Sequence, residues 1–157
     1  MASSLPSARK KARHMLVQAL YQWQMSGASI AAIEAQYRAE KGMKKADPEF
    51  FSELIHRIPE KLDEIDGAFR EFLDRDLSAL DPISVAILRI AVYELLHRVD
   101  VPYRVVINES INLAKTFGPT DAHKYINGVV DRVAARARRV EIGAPRNKSG
   151  GQTGGAK

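Results

Sequence analysis

Residues 101–133, VPYRVVINESINLAKTFGPTDAHKYINGVVDRV, read as two consecutive helices whose ends and inward faces are both assignable. Pro102 suits a first helical position, where a missing N–H costs nothing. Tyr103, Val106, Ile107, Ser110, Ala114 and Phe117 recur at spacings of three and four, the stripe of a helix with one face on a core. Gly118 stops that helix, and Pro119 cannot continue it. Thr120 is positioned to accept from the N–H of His123 as a cap, and Ala122, Ile126, Val129, Val130 and Val133 begin a second stripe.

The residues left outside these stripes bear on function. Arg104, Asn108, Asn112 and Lys115 share the far side of the first helix. Asp121, Lys124 and Tyr125 lie in the opening turn of the second, beside backbone N–H groups that favour anions. A cation and an aromatic ring at a helix N-terminus suit a phosphate and a base. The plainer alternative is a Tyr125 that flanks the core and a Lys124 that is solvated charge.

The N-terminal segment offers a second such face. Ser7 can cap a helix over residues 8–25, with Ala12, Leu16, Ala19, Leu20 and Trp23 inward and Gly27 ending it. Lys10, His14, Val17 and Tyr21 line the opposite side, with Arg9, Lys11 and Arg13 in the same turns. Long cations reach phosphates and an outward Tyr offers a stacking plane, so the face suits RNA, with simple solvated charge as the alternative.

Charge is divided along the chain. The formal net charge is +5, yet residues 46–81 hold eleven acids against four bases, while residues 1–14 hold four Lys/Arg and no acid. Residues 132–157 hold seven bases against Glu141 alone. Basic ends and an acidic middle suit a polyanion at one surface and a basic protein at another; tails that merely aid solubility are the alternative.

A helix over residues 29–41 turns Ile30, Ile33 and Tyr37 inward, followed by a basic loop over residues 42–47. The apolar pattern from Phe50 to Leu73 runs through Pro59, giving one bent helix or two. Asp81 and Pro82 open a helix, ISVAILRIAVYELLHRV, that is apolar on nearly every side and belongs at the centre of a bundle. Arg89 and Glu94 within it are expected to be structurally paired, because a lone buried charge is costly. The chain is therefore all-α, with six or seven helices in a single domain over residues 8–140. Residues 1–7 read as a flexible N-terminus and residues 141–157, with five of the ten glycines, as a disordered basic tail.

Several chemistries lack an anchor. There is no cysteine, the four histidines are scattered, and no apolar run approaches the ~20 residues of a membrane span. No secretory h-region opens the chain, so a cytoplasmic location is expected. No GxxxxGK[ST], GxGxxG, HExxH or GxSxG occurs. The acids of the middle segment are too evenly spread to mark a catalytic pair.

The segments ARKKARHMLVQALYQWQ, ISVAILRIAVYELLHRVDVPYRVVINESINLAKTFG and DAHKYINGVVDRVA together resemble the NusB family of bacterial transcription antitermination factors, over residues 8–135. The resemblance implies two helical bundles packed together, with no cofactor, metal or catalysis. It implies binding to the boxA element of nascent ribosomal RNA leaders together with NusE, which is small-subunit ribosomal protein ten. The pair would join other Nus factors on RNA polymerase, suppress premature termination and assist ribosomal RNA maturation. RNA-binding residues carried over by the resemblance are Arg9, Lys10, Lys11, Arg13 and Tyr21, then Asp121, Lys124 and Tyr125, the last standing where many relatives have Phe. The acidic middle would serve the basic ribosomal protein through Phe72, Arg75, Asp76 and the start of the Asp81 helix. There Ser84 replaces a glutamate that many relatives carry, and Ser78 also stands where an acid can occur. Two other classes remain open: the RNA-recognition module of an RNA cytosine methyltransferase, to which this fold is also fused, and a scaffold that binds only proteins.

Overall fold

A computed structural model describes residues 5–148. In chain order these form α1 (Leu5–Ser26), α2 (Ile30–Arg38), a 3-10 turn (Lys41–Lys45), α3 (Pro48–Glu60), α4 (Leu62–Arg70), a second 3-10 turn (Leu77–Ala79), α5 (Pro82–His97), α6 (Tyr103–Phe117), α7 (Ala122–Ala137) and α8 (Arg139–Lys148). The architecture is all-α as expected, with eight α-helices among the described residues instead of six or seven. The apolar run from Phe50 to Leu73 takes the second of its two expected forms, two helices that break at Lys61, two residues after Pro59. The addition is α8, which carries helix to Lys148 across the boundary drawn at residue 140. Helix likewise begins at Leu5, inside the segment read as flexible; residues 1–4 and 149–157 lie outside the described residues.

Two bundles share one helix. α1 and α3 pack on α5, with α2 lying against α1 and α3; α4, α6 and α7 pack on α5 as well, and α1 also touches α6. The sequence dictates this placement: every residue from Ser84 to Leu95 is buried, so α5 has no face to give to solvent. Asp81 caps it by accepting from the Ser84 N–H at 2.9 Å. At the other end Arg138 supplies what the last turn lacks, donating to the carbonyls of Leu95, Glu94 and Arg98 at 2.9, 3.1 and 2.9 Å.

Charges inside the core are paired across the bundles. Arg89 binds Asp66 of α4 through two 2.9 Å bonds and Gln24 of α1 at 3.0 Å. Glu94 is held by Arg13 of α1 at 2.7 and 2.8 Å. Both members of α5 are structurally paired, as expected, and each with another helix instead of with one another. Three guanidiniums, of Arg9, Arg13 and Arg98, surround the Phe50 ring at 5.1 to 5.2 Å from its centroid, joining the ends of α1, α3 and α5.

The hinge between α6 and α7 has two requirements. A Cβ on Gly118 would meet the Ala114 carbonyl oxygen of the last turn of α6 at 2.8 Å and the Ala122 Cβ of α7 at 3.3 Å, so the turn between the helices favours glycine. Asp121, not Thr120, is the N-cap of α7, and it sits in the left-handed region at φ 65° with no side-chain capping bond. Asp tolerates this conformation better than most residues, which is why the turn can close there.

Candidate nucleic-acid interface

The outer face of α1 is narrower than the sequence suggests. Lys10 and Lys11 are exposed, and Tyr21, in the second half of the helix, is 38% exposed. Val17 is buried, because α1 packs on four other helices and has little surface left. Arg13 corrects the expectation most sharply: it is 2% exposed and committed to Glu94, so its guanidinium cannot reach a phosphate. Arg9 is also largely withdrawn, bridging Asp47 at 3.5 Å and Asp100 at 3.2 Å while lying against Phe50. Lys10 approaches Glu109 of α6 at 3.6 Å. His14 places its ring edge on Phe117 at 5.4 Å, and burial together with the nearby Lys10 holds it below its ordinary pKa.

At the start of α7, Asp121 and Lys124 are exposed and 3.7 Å apart. Tyr125 is half-buried and tied across the chain: its hydroxyl donates to Asp74 Oδ1 at 3.0 Å and accepts from the Asp74 N–H at 3.1 Å. Arg75 pairs with Asp74 at 2.6 Å and lays its guanidinium over the Tyr125 ring. Arg75 holds the Asp74 carboxyl below its usual range, while burial and Asp74 push the Tyr125 phenol up. Aromatic planes beside cations are the groups that base stacking and phosphate contact use. Among the described residues no group of three or more His, Asp or Glu side chains could hold a metal ion.

A family model described as the NusB family matches residues 10–135. The chain belongs to the NusB family. Similar proteins include the transcription antitermination protein NusB of Pseudomonas savastanoi pv. phaseolicola, 48% identical over 143 residues that cover 91% of this chain and 87% of that one. Its counterpart in Saccharophagus degradans is 50% identical over 141 residues, covering 89% of this chain and 94% of the other. The solved structure of T. maritima NusB matches with a TM-score of 0.70 at 28% identity, covering 85% of this chain and 92% of that one.

Within this NusB fold the residues expected to meet a protein partner divide. Phe72 is half-buried beneath Arg136, whose guanidinium lies 5.1 Å from the ring centroid and binds Glu71 at 3.0 and 3.1 Å. Asp76 is exposed and lines an open cleft of about 510 Å³ with Gln24, Arg70, Leu77, Ser78 and Arg89. Ser84 departs from expectation: it is 3% exposed, and its hydroxyl donates to Asp81 at 2.6 Å, so it completes a helix cap and offers a partner nothing. Arg75, expected at the protein partner, touches Tyr125, which is expected at the RNA. Nothing in the sequence singles out Asp74, which joins the two groups, because its partner is 51 residues away. No helix among the described residues is long and apolar enough to cross a membrane.

Proposed function

We propose that this protein is a non-catalytic antitermination adaptor that binds single-stranded boxA RNA of ribosomal RNA leaders, together with NusE, in the cytoplasm. Lys10, Lys11 and Tyr21 on α1, with Lys124 and Tyr125 on α7, supply the RNA contacts: lysines meet phosphates and rings stack on bases. Arg75, Asp76 and the cleft beside Gln24 serve the ribosomal protein, and the assembled pair engages other Nus factors on RNA polymerase. The observation that carries the reading is Tyr21, an aromatic residue exposed at 38% on a helix whose first turns present the exposed cations Lys10 and Lys11. Membership of a family whose relatives are named for antitermination supports it.

A linkage measurement tests the adaptor role. NusE should tighten boxA binding, and boxA should tighten NusE binding by the same factor. An RNA affinity that NusE leaves unchanged would contradict it. Methyl transfer to RNA by the purified chain would favour the methyltransferase alternative.

A further inference from the structure

The basic loop over residues 41–45, KGMKK, has no part in the contacts above, yet the fold sets it against the basic end of α1. Two apolar side chains anchor it: Met43 and Ala46 are 7% and 6% exposed. The backbone is then pinned to α1 by the Asp47 N–H, which donates to the Ala8 carbonyl at 3.1 Å, and by Arg9 on Asp47 at 3.5 Å. With Met43 and Ala46 turned inward, Lys44 and Lys45 remain exposed. Among the described residues neither forms an ion pair, in contrast to Lys10 on Glu109.

Between this turn and α1 lies an open cleft of about 390 Å³, lined by Ser7, Lys10, Lys11, His14, Met15 and Gly42. Two of its lining groups suit a base: the Met15 thioether and the His14 imidazole, whose pKa burial and Lys10 hold below its ordinary value. Its rim is cationic. Lys10 lies eleven residues from Tyr21, ~16 Å along the helix axis, so cleft and ring stand at separate stations of one face.

We infer that the Lys41–Lys45 turn and the cleft beside it form a second RNA station, which takes single-stranded RNA flanking the segment read at Tyr21. The inference rests on the RNA-binding reading above and extends the footprint beyond the minimal element. Lys44 and Lys45 each meet a phosphate there, while the cleft shelters one base.

The test uses the full chain and three RNAs: minimal boxA, and boxA lengthened by about ten nucleotides on its 5′ or its 3′ side, enough to pass the cleft at the single-strand spacing of phosphate charge. Affinity is titrated across salt for the unaltered protein, for Lys44→Gln/Lys45→Gln and for Tyr21→Ala. One extended RNA should bind the unaltered protein several-fold tighter than minimal boxA. The double variant should lose that gain, flatten the salt slope on that RNA by about 1.4, two contacts at ~0.7 each on a single strand, and keep its affinity for minimal boxA. Equal affinity of the unaltered protein for short and long RNAs would overturn the second station. So would a double variant that weakens on short and long RNA alike. If the lysine pair flattens the slope on the long RNA while Tyr21→Ala changes nothing, the station stands and the Tyr21 reading falls.

Discussion

The guanidinium of Arg75 lies 5.2 Å from the centre of the Tyr125 ring, over one of its faces. An exposed cation–π contact is worth ~0.5–1 kcal/mol, whereas a base stacked on an aromatic side chain is worth ~1–3 kcal/mol. If RNA stacks on Tyr125 as proposed, a base is therefore expected to displace Arg75 from that face.

Removing the Tyr125 ring and removing only its hydroxyl should have different effects. Tyr125→Ala should weaken boxA binding by ~1–3 kcal/mol. Tyr125→Phe should leave RNA affinity nearly unchanged and lower stability through the two lost bonds to Asp74, at ~0.5–1.5 kcal/mol for each. RNA titration and denaturant unfolding of both variants check the pair; equal RNA loss in both would assign the binding to the hydroxyl.

Arg13 should matter for folding and not for RNA. Arg13→Ala leaves Glu94 buried without a partner and should cost ~3–5 kcal/mol. Replacing both, as Arg13→Met with Glu94→Leu, should restore most of that stability. RNA affinity of the restored double variant should match the unaltered protein; a loss in the well-folded double variant would return Arg13 to the RNA site.

Stability should decline at both extremes of pH. Burial raises Glu34, but hydrogen bonds from Ser52, His56 and Arg38 outweigh it and hold the carboxyl at about 2. Arg98, aided by Arg9, holds Asp100 at about 2. Folded values below unfolded ones mean stabilisation that is complete above the ordinary carboxylate range and lost as pH falls from ~4.5 toward 2. Tyr93 runs the other way. Burial and the bond to Glu53 push its phenol up to about 12, so its contribution is complete below pH ~10 and lost as pH rises toward 12. Unfolding free energies across pH check both limbs, and Glu34→Gln should flatten the acid one.

Asp121→Gly should leave stability within ~1 kcal/mol, because glycine adopts φ 65° without a Cβ penalty. Asp121→Val should cost ~1–2 kcal/mol or more, since a β-branched residue is a genuine outlier there. Thermal or urea unfolding of the two variants checks the order.

Helix positions were legible where periodicity and capping agreed. Asp81 and Pro82 announce α5, and its all-round apolar sequence places it centrally. The site was less legible, because exposure depends on neighbours that are remote in sequence. Arg13 sits in a basic cluster and reads as an RNA contact until Glu94, 81 residues on, arrives beside it. Ser84 reads as a surface substitution until its hydroxyl closes on Asp81. Asp74 is one acid among many until Tyr125 folds onto it. Continuation of helix into α8 was hidden by Gly143 and Pro145, which end most local patterns.

The most direct measurement is a gel-shift titration of boxA RNA against a scrambled RNA of equal length, using the unaltered protein and Tyr21→Ala/Tyr125→Ala, with NusE present. Preferential, salt-sensitive binding of boxA that the double substitution weakens by ten-fold or more is expected, since two lost stacking contacts remove at least ~2 kcal/mol. Equal affinity for the two RNAs, or a double variant indistinguishable from the unaltered protein, would contradict it.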